Sequence, residues 1–426
     1  MAFTAGLDRR GSTRKITFFV ALAIFAQEST WNFYDNQVPV LLREHLTSAA
    51  LVGLCMGMDN ILGVFIQPWI GHRSDNTRTA WGRRMPYLAV GMPLAAVIFL
   101  LIPHAPTLAT LIAAMFLYAV VSNAFRPVAE SLMPDFIAPE RRSRANAAVK
   151  IASALTIIVA SLISLLVVDE HPAAAFAIPS AIMLASALVL IVSVRDSRSP
   201  AYQVALAEDA AETSGTPRIP FRAVIAELLR DPDRSRLLLM LTIFLFAGAW
   251  AASRSLLTPY GMETLGLSRG DAGGLTLPSG VAYIVAAYPA ALLAERFGRL
   301  PVMAAGMAVF AVAMVGGTLV QTPTGTVVAM CVAATGAAGV IINAVVALWS
   351  LAPSSRVLGT YTGLHAVVWA SGGFLGPALI GGVVDLTGWA WMLLAIAGLL
   401  GASVAALTRV AALQRRRPLA PVAEES

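Results

Sequence analysis

Gly71-His72-Arg73-Ser74-Asp75-Asn76-Thr77-Arg78-Thr79-Ala80-Trp81-Gly82-Arg83-Arg84-Met85-Pro86-Tyr87 lies between two long apolar runs, and its reading decides the fold. A short basic turn between such runs joins two helices that cross the same apolar medium in opposite directions. Gly71 and Gly82 permit tight backbone approach, Asp75 stands where the first helix ends, and Pro86 can open the next helix behind Arg83 and Arg84. A carboxylate among several guanidiniums suits a latch, and a charged loop at a membrane surface would carry the same cations.

Composition supports the membrane. Hydrophobic residues make up 58% of the 426-residue chain and charged residues 13%, against about a quarter charged in soluble domains, and the mean hydropathy is +0.74. The net charge of +6 does not point to nucleic acid, because the arginines gather at the ends of apolar runs. Cys55 and Cys331 both fall inside apolar runs, so neither a disulfide framework nor a thiol metal site is implied. The chain has no Walker motif, no His-Glu-x-x-His and no polar stretch long enough for an ATPase. Primary transport and metalloenzyme chemistry are disfavoured, and no cofactor or enzymatic activity is expected. Arg9, Arg10, Arg14 and Lys15 before an apolar run imitate a signal peptide. That run extends to about Leu42, carries Glu28 and Asp35 and lacks a convincing cleavage site, so it reads as a first span.

Windows of about 20 apolar residues predict an all-α membrane protein with twelve transmembrane helices in two six-helix halves. The first half, residues 1–194, holds spans at roughly 16–42, 48–72, 85–103, 107–132, 146–168 and 173–194. The second, residues 237–411, holds spans at roughly 237–262, 271–294, 301–320, 324–351, 359–384 and 389–411. Residues 195–236 read as a polar linker with a short amphipathic helix, and 412–426 as a tail. Positive charge in Arg9–Lys15, Arg73–Arg84, Arg141–Arg144, Arg195–Arg236, Arg296 with Arg299, Arg356 and Arg409–Arg417 falls on one side, and only Arg43 and Arg269 clearly fall on the other. Both termini are therefore expected in the cytoplasm. Ala291-Leu292-Leu293-Ala294-Glu295-Arg296-Phe297-Gly298-Arg299 replays the opening stretch in shorter form, with Glu295 in the place of Asp75, as a duplication would leave it.

Gly71-x-x-x-Asp75 followed by Gly82-Arg83-Arg84 resembles the loop after the second helix of the major facilitator superfamily. The longer form Ser74-Asp75-x-Thr77-Arg78-x-x-x-Gly82-Arg83-Arg84-x-Pro86, with Arg141-Arg142-Ser143-Arg144-Ala145-Asn146 after Pro134-Asp135, resembles the branch of glycoside-pentoside-hexuronide cation symporters and sucrose transporters. The resemblance implies two halves rocking about a central site near the midplane, a monomer in a bacterial-type plasma membrane, and sugar uptake. Its details transfer incompletely. The paired aspartates of the sodium-using melibiose carriers fall at Gly63 and Gln67 here, which removes the sodium site and favours protons. Gln67-Pro68 resembles the sucrose subgroup, whose proton-coupling aspartate on the fourth helix falls at Ala119, and the melibiose carriers' lysine on the eleventh helix has no counterpart.

Ionisable side chains inside spans are costly and face a cavity or a partner, so they are the functional candidates. On the first span Glu28, Asn32 and Asp35 share one helical face, with Trp31 and Asn36 beside them. The stripe suits a sugar, with an aromatic face on C–H bonds and amides on hydroxyls, and serves equally as polar glue between helices. Asp59 and Asn60 follow on the second span. On the fourth, Asn123, Arg126 and Glu130 share a face, where Arg126 and Glu130 can pair at i, i+4 as a structural contact or as part of a proton-linked gate. In the second half Arg254 needs a carboxylate, for which Glu28 or Asp59 is the expected partner, and Trp250 lies one turn before it. Tyr283, Asn343, His365 and Trp369 complete the substrate candidates, with His365 able to titrate near neutral pH or to serve as a helix contact. Glu28, Asp35, Asp59, Arg126, Glu130 and Arg254 are the proton-coupling candidates. Asp75, Arg83, Arg84, Glu295 and Arg299 are the gating candidates, with Asp75 expected near the start of the eleventh span. Two other readings stay open: proton-coupled export of drugs or metabolites, and a non-transporting scaffold or sensor. The buried charges disfavour the scaffold, and the lack of an appended signalling domain disfavours the sensor.

Overall fold

The computed structural model describes residues 10–137, 139–199, 202, 203, 206, 234–351 and 358–415. The predicted amphipathic helix of the linker, Arg356 and the end of the tail lie outside them. The twelve spans are α1 Arg10–Arg43, α2 Ala49–Asp75, α3 Met85–Leu101, α4 Leu108–Phe136, α5 Pro139–Ile163, α6 Ala177–Ser193, α7 Ser235–Ser255, α8 Leu277–Phe297, α9 Arg299–Val320, α10 Pro323–Ser350, α11 Leu358–Thr387 and α12 Met392–Arg415. Eleven helical stretches among the described residues are long and apolar enough to cross a membrane. The twelfth, α1, spans 34 residues, and its polar stripe keeps it outside that set. No strand occurs among the described residues. With an even number of crossings the start of α1 and the end of α12 lie on one side, here called the terminal side.

Prolines set the departures from the predicted spans. The seventh does not run to residue 262: α7 stops at Ser255, and a separate short helix, Leu257–Leu265, carries Pro259 in its first turn. The eighth opens with Arg269–Gly274, turns at Leu275 and Thr276, and restarts at Leu277 with Pro278, which has no N–H to bond back across the turn. The fifth ends in a single wide turn, Ser164–Val168.

Each half packs around its own aromatic nucleus. In the first, Phe33 meets Phe176 edge-on at 5.0 Å and Phe99 meets Tyr118 at 5.2 Å. In the second, Phe246 lies 6.3 Å from Phe310 and 5.9 Å from Trp369. Inside the second half α7 and α11 touch backbone to backbone, with Gly248 against Gly376 leaving no room for a Cβ. The two halves join mainly away from the termini. There α2 lies on α11, with Gly53 against Pro377 and Gly57 against Phe374, and hydrogen bonds link α1 and α5 to the start of the eighth span.

Candidate functional site

The polar stripe of α1 faces the interior and sorts into two clusters. Nearer the termini, Arg126 of α4 reaches Glu28 at 3.3 Å and Glu130 at 3.5 Å, with its guanidinium 5.9 Å from the Trp31 ring centroid. Arg126 keeps 32% of its side chain exposed and Glu130 59%, so this cluster is wet. Deeper in, Arg254 of α7 lies 3.6 Å from Asp35, donates to Asn32 Oδ1, and sits 5.7 Å from the Trp250 ring centroid. Asn32 also donates to Thr156 Oγ1 of α5 at 2.7 Å. The carboxylate partner of Arg254 is therefore Asp35, and neither Glu28 nor Asp59 takes that role. Arg254 occupies the last turn of a helix that ends at Ser255, which places it deeper toward the far side than a span ending at 262 would.

Asp59 is a buried carboxylate at 5% exposure. It accepts from Asn60 Nδ2 at 3.0 Å, and among the described residues it joins no ion pair. Its carbonyl accepts from Asn123, whose Oδ1 takes a bond from Gln67 at 2.7 Å. Gln67, at a position that resembles a sodium-site aspartate, is thus committed to Asn123. Asn36 donates across the halves to Gly273 O at 3.3 Å. On the opposite wall His365 stacks on Trp369, 5.8 Å between centroids, and its buried Nε2 has no hydrogen-bond partner among the described residues. Trp250 packs edge-on against Phe310. Two predicted substrate residues stand apart: Asn343 donates to Gly339 O of its own helix at 2.9 Å, and Tyr283 is half-buried on α8 without joining either cluster.

The opening loop forms a third cluster, on the terminal side. Arg83 binds Asp135 with two parallel bonds of 3.1 and 2.7 Å, Arg84 adds a third at 2.8 Å, and Arg84 also reaches Asp75 at 2.6 Å and Ser74. Gly82 has φ +100, and the space beyond its Cα is filled by Asp196, which accepts from the Arg84 N–H. Burial works to lower the Arg84 pKa, and Asp135 with Asp75 more than reverses it. Burial pushes the Asp196 carboxyl up, against the backbone N–H groups it accepts from. Asp75 does end α2, but its partner is Arg84, and its own side chain is 56% exposed. The start of α11 that it was expected to meet adjoins residues 352–357, outside those described. Glu295 and Arg299 are exposed. Sequence reading passed over Asp135 and Asp196 as partners, although carboxylates at helix ends facing a loop of arginines were the available signal.

The pattern that describes the Major Facilitator Superfamily matches residues 17–281 and 239–425, two overlapping stretches that cover nearly the whole chain. Over 95 residues, 22% of this chain, the sequence is 36% identical to the human "Membrane-associated transporter protein", and the match spans 18% of that relative. Among solved structures it is similar to a bacterial homologue of the human lysosomal transporter Spinster, inward-facing and occupied, with TM-score 0.73, 15% identity, and 95% and 96% of the two chains covered. It is also similar to a nucleoside transporter, NupG, with TM-score 0.71, 14% identity, and 93% and 99% covered. A POT family transporter in complex with 5-aminolevulinic acid gives TM-score 0.72 at 11% identity, with 94% and 96% covered. These structural likenesses carry the fold, the sequence pattern carries the family, and the chain belongs to the Major Facilitator Superfamily as a multi-pass membrane transporter.

Proposed function

We propose that the chain takes up a small neutral solute, a sugar or glycoside, by proton symport, in a bacterial-type plasma membrane with both termini cytoplasmic and as a monomer. The observation that carries this reading is Asp59, buried, held by Asn60 and joined to no cation among the described residues. A buried carboxylate with no cation bonded to it is placed to carry a proton that it takes up and releases as the cavity alternates. The ledger of charge supports the same reading. Glu28, Asp35, Asp59 and Glu130 face two arginines, Arg126 and Arg254, each already paired. Among the described residues an anionic solute finds no unpaired arginine there. A neutral solute needs none, and finds Trp31 on one wall and Trp250 and Trp369 on the other.

In this reading Asn32 and Asn36 bind hydroxyls, Glu28 and Arg126 sense the inner cavity, and the Asp75, Arg83 and Arg84 cluster fixes the terminal-side ends. A second reading rests on the excess of carboxylates over arginines, which with the aromatic wall suits export of lipophilic cations. The test is uptake of labelled mono- and disaccharides into proteoliposomes under an imposed pH gradient, then a sodium gradient, for wild type and Asp59→Asn. Accumulation driven by the pH gradient and reduced about tenfold in the variant is expected. Absence of accumulation under either gradient overturns sugar symport and directs the same assay to lipophilic cations.

A further inference from the structure

The halves are fastened, on the side away from the termini, by one contact made twice. Asp385, near the end of α11, accepts from Ser48 Oγ at 2.6 Å, Ala49 N at 2.6 Å and Ala50 N at 3.1 Å. Ser48 is the residue that caps α2, accepting from Leu51 N. Asp169, just past the end of the fifth span, accepts from Ser268 Oγ at 2.6 Å and Gly270 N at 2.7 Å. Ser268 caps the opening of the eighth span in the same way, accepting from Asp271 N. Under the duplication of six helices, α2 corresponds to α8 and α5 to α11. The end of α11 on the start of α2 and the end of the fifth span on the start of the eighth are thus equivalent contacts, one on each side of the pseudo-two-fold axis.

The chemistry suits a catch that opens. N–H groups in the first turn of a helix have no partner within it, so a carboxylate from the other half satisfies donors that water satisfies equally well once the halves part. The hydrogen bonds are charge-assisted and short, which makes them strong while closed. Among the described residues no guanidinium bonds directly to either carboxylate, although Arg43 acts on Asp385 and Arg269 on Asp169 electrostatically across the halves. Further ties lie around them: Arg43 with Glu263 at 2.8 Å and Arg269 with Glu44 at 3.7 Å, each with a partly exposed partner, and Arg269 Nε donating to Gln37 Oε1 at 2.8 Å.

We infer that Asp169 and Asp385 are the paired closing residues of the gate opposite the termini, and that together they set the balance between the closed and open states of that side. The role belongs to the transport cycle whatever the solute or coupling ion. Its test therefore uses no substrate, and its failure leaves the symport reading standing.

Distances are read by spin labels in a background where Cys55 and Cys331 are serine. One pair, His45→Cys with Thr324→Cys, spans the two halves on the far side. A second pair, His45→Cys with His104→Cys, lies within the first half. Asp385→Asn and Asp169→Asn, each isosteric and uncharged, are expected to raise the long-distance population of the first pair about tenfold relative to the short one. The double variant raises it further, because the two sites are separate. The second pair stays unchanged. Ser48→Ala, which removes one donor and leaves the charge, gives a smaller shift in the same direction. Superimposable distributions in all four variants overturn the inference. So does a change in the within-half pair, which would show that the carboxylates hold the fold of a half rather than the gate between halves.

Discussion

The two walls of the central site come from one duplicated plan and have taken opposite chemistry. The first half contributes Glu28, Asp35, Asp59, Arg126 and Glu130, and the second contributes Arg254 among Trp250, Phe246, Phe310, Trp369 and His365. The difference follows from the cost of ions in a bilayer. Arg126 is compensated inside its own half by two carboxylates, whereas Arg254 takes Asp35 and Asn32 from across the interface. An ion pair that crosses the halves registers whether they are together. In the proposed reading the charged wall handles protons and lends the solute Asn32 and Asn36, and the aromatic wall supplies the rings on which the solute stacks.

The largest effect is expected from Arg254→Ala. It strands Asp35, at a cost of about 3 kcal/mol for a broken, largely buried pair, and lowers transport by more than about a hundredfold. Uptake in proteoliposomes and the melting temperature in detergent check it. Recovery of melting but not of transport in Arg254→Gln with Asp35→Asn would sharpen the assignment. Next is Asp59→Asn, expected to reduce pH-driven accumulation about tenfold while exchange of labelled for unlabelled solute persists. Loss of both to the same extent would break the division between the walls. On the aromatic side, Trp369→Ala is expected to weaken apparent affinity about tenfold with the driving force unaffected, and Trp369→Phe to retain most of it. A Trp369→Ala protein with normal affinity and failed coupling would invert the comparison. The smallest effect belongs to Asn343→Ala, within about twofold in initial rate, because that amide is already bonded to its own helix.

Apolar length made the twelve spans legible, and the 3.6-residue period made the α1 stripe legible, since Glu28, Trp31, Asn32 and Asp35 can only face one way. The partner of Arg254 was not. Its depth depends on where α7 ends, and the break before Pro259 moves that end from residue 262 to Ser255. The ties at Asp135, Asp196, Asp169 and Asp385 were hidden for another reason. Each joins segments distant in sequence, and periodicity within one helix carries no information about which end another helix brings near. Asn343 shows the converse: a polar residue in an apolar span that satisfies itself locally leaves the same mark as one that faces a cavity.

At the α7–α11 crossing, Gly248 meets Gly376 with no side chain between the two backbones. Nothing at that point can swing aside to absorb a displacement, so the helix that carries His365 and Trp369 and the helix that carries Trp250 and Arg254 shift as a single stiff lever. In the proposed reading, a solute pressing on Trp369 tugs the Arg254–Asp35 bridge more than 100 residues away in sequence, and occupancy then reaches the charged wall as a mechanical signal without any contact between solute and ion.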